Sequence, residues 1–113
     1  MLTQKKGETM PEFGRPFKGT KYERKLTKEE LIREIRFMIA AEYEAVQLYT
    51  QLAESTDDEL AKTVLIDIAN EEIVHAGEFL HLLKHLAPDE EKYYQEGAQE
   101  VKEMIKRKLD LSK

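Results

Sequence analysis

Glu72-Ile73-Val74-His75 places a carboxylate and an imidazole three residues apart. On a helix, positions i and i+3 are neighbours on one face, so both side chains can reach a single metal ion. The pair interrupts an apolar stripe, Leu65, Ile68, Glu72, His75, Phe79, Leu82 and Leu86, whose alternating steps of three and four mark a buried helical face. Glu42 interrupts a second stripe in the same way, between Leu31, Ile35 and Met38 on one side and Ala45, Tyr49 and Leu52 on the other. A buried carboxylate is costly unless it is paired or binds a cation. No lysine or arginine lies between Arg36 and Lys62, or between Lys62 and Lys84, and both interruptions fall in the middle of those gaps. The chain near these acids therefore lacks the usual compensating charge, and a bound cation would supply it. The plainer alternatives are a carboxylate at the edge of a stripe with its head in water and a histidine satisfied within a core or interface.

Two helices must position these residues. Thr27-Lys28-Glu29-Glu30 has the pattern of a capping box, which starts a helix running to about Glu54. Ser55-Thr56-Asp57-Asp58 reads as a turn, and the acids at 57 and 58 suit the positive end of a second helix running to about Leu86. At helical rise Glu42 lies about 18 Å from this turn and Glu72 about 21 Å. An antiparallel hairpin therefore brings Glu42, Glu72 and His75 to one level. Pro88 breaks the second helix and suits the first position of a third. Asp89, Glu90 and Glu91 fill that helix's first turn, and Lys106, Arg107 and Lys108 its last. Its short apolar stripe, Tyr94, Ala98, Val101 and Ile105, predicts packing against another element rather than chemistry.

The bulk numbers bound the rest. A chain of 113 residues is one small domain. Residues 1–26 hold three of the five glycines and two of the three prolines and read as a flexible N-terminal arm; residues 27–109 read as the helical domain. The fold class is all-α, an antiparallel two-helix hairpin plus a short third helix. Two long helices leave one apolar face open, and association with another copy closes it. The chain has no cysteine, which excludes disulfides, thiolate metal sites and a rubredoxin-type iron centre within it. No apolar run approaches membrane-spanning length and residues 1–25 lack a signal-peptide core, so the expected location is cytoplasmic, with no membrane partner. Residues 1–26 carry a net charge of +4 and the rest −9, an acidic body that argues against nucleic acid and suits cations.

Glu42-Tyr43-Glu44-Ala45-Val46-Gln47-Leu48-Tyr49 and Glu71-Glu72-Ile73-Val74-His75-Ala76, with thirty residues between Glu42 and Glu72, resemble the paired motifs of the ferritin-like superfamily. The likeness is to encapsulated ferritins, two-helix iron oxidases packed inside encapsulin shells, and it covers residues 27–86, extending loosely to about 105. The resemblance implies that Glu42, Glu72 and His75 are iron ligands, with Glu42 bridging two irons, and that Tyr49 is a hydrogen-bond donor behind them; a core-filling aromatic is the alternative for Tyr49. Glu44 matches an outer metal-uptake carboxylate of the family, but Ala41 stands where its companion acid is usual. Glu44 also lies about 200° around the helix from Glu42, where a solvated acid fits. Glu78, His81 and His85 form a second Glu-x-x-His run, to be read either as an accessory site or as a solvated or interface face.

A ferritin-like diiron site takes two glutamates and two Glu-x-x-His pairs from four helices. This chain has half of that set, so the expected unit is a dimer forming a ferritin-like four-helix bundle with two iron ions between the chains. The resemblance further implies a decameric ring of such dimers, an encapsulin shell protein as partner, a location inside that nanocompartment, and ferroxidase activity. Manganese or calcium is expected to substitute for iron. The competing readings are a rubrerythrin-like peroxide scavenger and a non-catalytic helical dimerisation or cargo module.

Overall fold

The computed structural model describes residues 24–112, so the arm expected over 1–26 lies almost wholly outside the described residues. Those residues form helices and no strand. Helix α1 spans Lys28–Glu54 and α2 spans Glu59–Leu86; a 3-10 turn, Pro88–Glu90, leads into α3, Glu91–Leu111.

The caps are those the sequence specifies. Thr27 Oγ1 accepts from the Glu30 N–H at 3.1 Å, and the Glu30 carboxylate accepts from the Thr27 N–H at 2.9 Å. Arg24 adds two hydrogen bonds to the same carboxylate, at 2.9 and 2.8 Å. With the Arg24 bonds as the larger cause and the Thr27 N–H next, Glu30 is held down to about 2. At the other end, Ser55 caps α1 through its N–H to the Leu52 carbonyl. Asp58 then starts α2 by accepting from the Ala61 N–H at 2.8 Å.

The hairpin seam is not centred on the stripes that the sequence displays. Its buried residues are Ile35, Ile39 and Ala53 from α1 and Ala69, Ala76 and Leu83 from α2. Ile35, Ile39 and Leu83 form a cluster covered by Ile32, Phe79, Leu86 and Ala87. Further along, Ala53, Ala69 and Ala76 let the helices approach closely, with Ala69 and Ala76 only 2% exposed. Met38, Ala45 and Leu52 are turned roughly 60–100° away from this seam at 100° per residue. Leu52 and Leu82 are accordingly exposed. The two stripes thus straddle the seam, with Ile35, Phe79 and Leu86 in or against its core and Leu52 and Leu82 on an open face beside it that a single hairpin does not cover.

Helix α3 has the span expected of it, but its packing differs: none of its residues is buried. Among the described residues it packs along neither hairpin helix and meets chiefly the turn that precedes it. The expected packing of Tyr94, Ala98, Val101 and Ile105 on another element does not occur among the described residues.

Candidate metal centre

Glu42 sits midway along α1, and Glu72 and His75 midway along α2. Because the turn is short and the helices run antiparallel, the three meet at one depth on the open face. One ligand atom from each lies within 4.8 Å of the other two, and among the described residues this is the one such group of three. His75 Nδ1 lies 2.9 Å from Glu72 Oε1 and 3.5 Å from Glu42 Oε2. The carboxylates are largely covered, each side chain 17% exposed, whereas His75 is 51% exposed.

No lysine or arginine pairs with Glu42 or Glu72 among the described residues; His75 is their cationic partner there. The electrostatics follow from that shortage. Burial, and then the Glu72 carboxyl beside it, push Glu42 above the usual carboxylate range, against a smaller pull from His75. The hydrogen bond to Glu72 raises His75 above an ordinary histidine, with the charges of Glu42 and Glu72 adding to it and burial opposing. A proton on His75 therefore does part of the work of a cation. Two carboxylates and an imidazole, converging and short of positive charge, form a donor set that fits iron or manganese.

The remaining sequence candidates are placed elsewhere. Tyr49 is half-buried two turns along α1 from Glu42, on the same face, and its hydroxyl makes no hydrogen bond among the described residues. Glu44 is exposed on the far side of α1, and Ala41 brings no acid. Glu78, His81 and His85 are exposed and do not converge with a third ligand. The charge of Glu78, one turn beyond His75, adds the smallest of the upward pushes on Glu42 and His75.

An antiparallel helical hairpin carrying a glutamate on one helix and Glu-x-x-His on the other defines a ferritin-like carboxylate protein. Residues 35–113 match the Rubrerythrin family, and the chain belongs to it. It is similar to a ferritin-like–encapsulin shell fusion protein of Pyrococcus furiosus, at 44% identity over 69% of this chain. It is also similar to EncC, an encapsulin nanocompartment cargo protein of Myxococcus xanthus, at 37% identity over 70% of this chain. The matches span 23% and 61% of those two relatives. Among solved structures it resembles the encapsulated ferritin domain from Pyrococcus furiosus, with a TM-score of 0.69 and 42% identity over 71% of this chain and 82% of that one. Among the described residues no helix is long and apolar enough to cross a membrane.

Proposed function

We propose that this chain supplies half of a ferroxidase centre, and that two copies pair through their open hairpin faces to hold two Fe(II) ions as substrate. The observation that carries this reading is the convergence of Glu42, Glu72 and His75 within 4.8 Å on an uncovered face. One glutamate and one Glu-x-x-His pair are half of the ligand set a diiron bundle uses. A twofold axis beside the site completes the set with the same residues of a second copy.

The residues have distinct tasks in this reading. The carboxylates neutralise the cations and hold them together. His75 must give up the proton it shares with Glu72 before its Nδ1 can donate to metal, so binding releases protons. Six protein ligands across two irons leave coordination positions open for an oxidant. Each Fe(II) gives one electron, and oxygen or peroxide takes the pair. Tyr49, behind Glu42, supplies a hydroxyl to steady the ligands. The names of two relatives support an encapsulin shell as the destination of the Fe(III), and so a location inside such a compartment in the cytoplasm. A decameric ring of dimers is the larger assembly that this reading implies.

Stopped-flow oxidation of Fe(II), with oxygen in one series and peroxide in the other, tests the proposal. Wild-type protein accelerates oxidation and Glu42→Ala does not. If neither oxidant consumes Fe(II) faster with protein than without it, the enzyme reading fails and a structural cargo module replaces it.

A further inference from the structure

All three histidines of the chain lie between positions 75 and 85, on α2. His75 belongs to the metal centre. His81 and His85 are exposed, as is Glu78, which stands between them and the centre. The side chains of Glu78, His81 and His85 make no hydrogen bond or ion pair among the described residues, so their lone pairs are open to a ligand.

Their spacing is ordered. Glu72, His75, Glu78 and His81 follow one another at steps of three, and His85 comes four residues later. Each step of three turns back about 60° around the helix and rises about 4.5 Å. Metal-ligating side chains therefore wind from the open face, where Glu72 and His75 meet Glu42, to the outer face of α2. His81 and His85 each stand two residues from the buried Leu83, about 200° around the helix, and so point away from the seam. They are i, i+4 neighbours, the spacing at which two imidazoles on one helical face grip a single metal ion. Glu78 precedes His81 by three residues, which repeats the Glu72–His75 spacing.

The charge nearby favours a cation. No lysine or arginine lies between Lys62 and Lys84, and Lys84 itself faces Glu91 at 3.8 Å. Helix α2 ends at Leu86, directly after His85, and the negative end of a helix dipole attracts cations within its last turn. The charge of Glu78 is felt at Glu42 and at His75, which puts this acid within electrostatic reach of the centre.

We propose that His81 and His85, with Glu78, form a second divalent-cation site, which gathers Fe(II) on the outer face of α2 and passes it by way of Glu78 to the centre. The transfer rests on the pairing proposed above: a second copy closes the open face, and the ladder gives ions a route that starts outside that interface. The three ligand atoms do not meet about one point in the structure. Exposed side chains turn between rotamers within nanoseconds, so an arriving cation gathers them and water completes its shell. Fe(II) stands low in the affinity order for such ligands and Zn(II) higher. Iron therefore stays only briefly at the outer site, which is empty at stoichiometric iron, whereas Zn(II) stays long enough to report it.

Isothermal titration calorimetry with Zn(II) tests the site in the full chain carrying Glu42→Ala and His75→Ala, whose remaining imidazoles are His81 and His85. A single Zn(II) should bind per chain. Adding His81→Gln and His85→Gln should weaken it by more than the roughly tenfold that losing a ligand's hydrogen-bond partner costs a metal site. These positions are exposed, so far-UV circular dichroism should show unchanged helix. Stopped-flow oxidation across a range of Fe(II) concentrations tests the transfer in chains that keep the centre. The His81→Gln/His85→Gln pair and Glu78→Gln should each raise the iron concentration for half-maximal rate several-fold, while the rate at saturating iron, which the centre sets, holds. Zn(II) binding that survives loss of both histidines would overturn the site. Variants that match wild type at low iron, or that lose rate equally at every iron concentration, would overturn the transfer. Absence of oxidation in wild type would count against the ferroxidase reading and take the transfer with it. The calorimetry uses protein without the centre, so the two failures are distinguishable.

Discussion

Replacing Glu42 with glutamine should stabilise the metal-free protein at pH 8 and not at pH 5. Glutamine keeps the shape and removes the charge. At pH 8 the carboxylates of Glu42 and Glu72 face each other with ligand atoms no more than 4.8 Å apart. Two like charges 4 Å apart repel by about 1 kcal/mol in water and about 4 kcal/mol at an effective dielectric of 20. The site is open on one side, so the lower figure applies, and relief of about 1 kcal/mol raises the melting temperature of a domain this size by about 4–8 °C. At pH 5 the sign changes. His75, raised by its bond to Glu72, is protonated there and attracts Glu42 across 3.5 Å. Removing the Glu42 charge then loses attraction as well as repulsion, and the gain disappears. The wild-type profile has the same electrostatic origin. Glu42 and His75 are both raised by folding, so their stabilisation is complete below their unfolded values and is lost as pH rises through the folded ones. Metal-free wild-type protein should therefore melt lower at pH 8 than at pH 5. Mn(II), which competes with protons for these ligands, should reverse that trend in wild type but not in Glu42→Gln. Thermal melts at the two pH values, with and without Mn(II), make the comparison. Equal melting temperatures for the metal-free variant and wild type at pH 8, together with an unchanged response to Mn(II), would mean that the Glu42 charge neither strains the metal-free site nor binds the ion.

His75→Ala removes one ligand from each half-site and should slow Fe(II) oxidation by more than the roughly 10–100-fold that loss of an outer hydrogen-bond partner costs a metal site; stopped-flow absorbance at fixed iron measures it. Thr27→Ala removes the side-chain half of the capping box and should cost about 1 kcal/mol, read as a lower thermal midpoint by circular dichroism with metal binding unchanged. Calcium, as a redox-silent oxygen-ligand cation, should promote pairing of wild-type chains and leave Glu42→Ala unpaired by sedimentation, whereas equal pairing of both would remove the acid from the interface.

The helices and the metal candidates were legible because their signals are local. The Thr27–Glu30 box, the Asp58 cap and the position of Pro88 each act within a turn of chain. Glu42, Glu72 and His75 could be placed together because equal distances from a short turn fix depth in a hairpin. The packing direction was less legible. The seam runs through Ala53, Ala69 and Ala76, small residues that weigh little in an apolar pattern but permit close approach. The conspicuous stripes therefore start in the seam, at Ile35, Phe79 and Leu86, and run out to the open face at Leu52 and Leu82. The hydrogen bond from Arg36 of α1 to Glu90 was not legible, because the two are 54 residues apart and only the folded chain joins them. Nor could the pattern of α3 say whether its stripe is covered within one chain.

In the proposed function one chain holds half of a metal site. Native mass spectrometry of the anaerobic protein titrated with Fe(II) tests it most directly, because mass reports chain number and ion number in the same species. Fe(II) should convert single chains to pairs, each pair carrying two ions held through Glu42, Glu72 and His75, while Glu42→Ala chains stay single and metal-free. Single wild-type chains that carry two ions, or pairs that take up the same iron without Glu42, would contradict it.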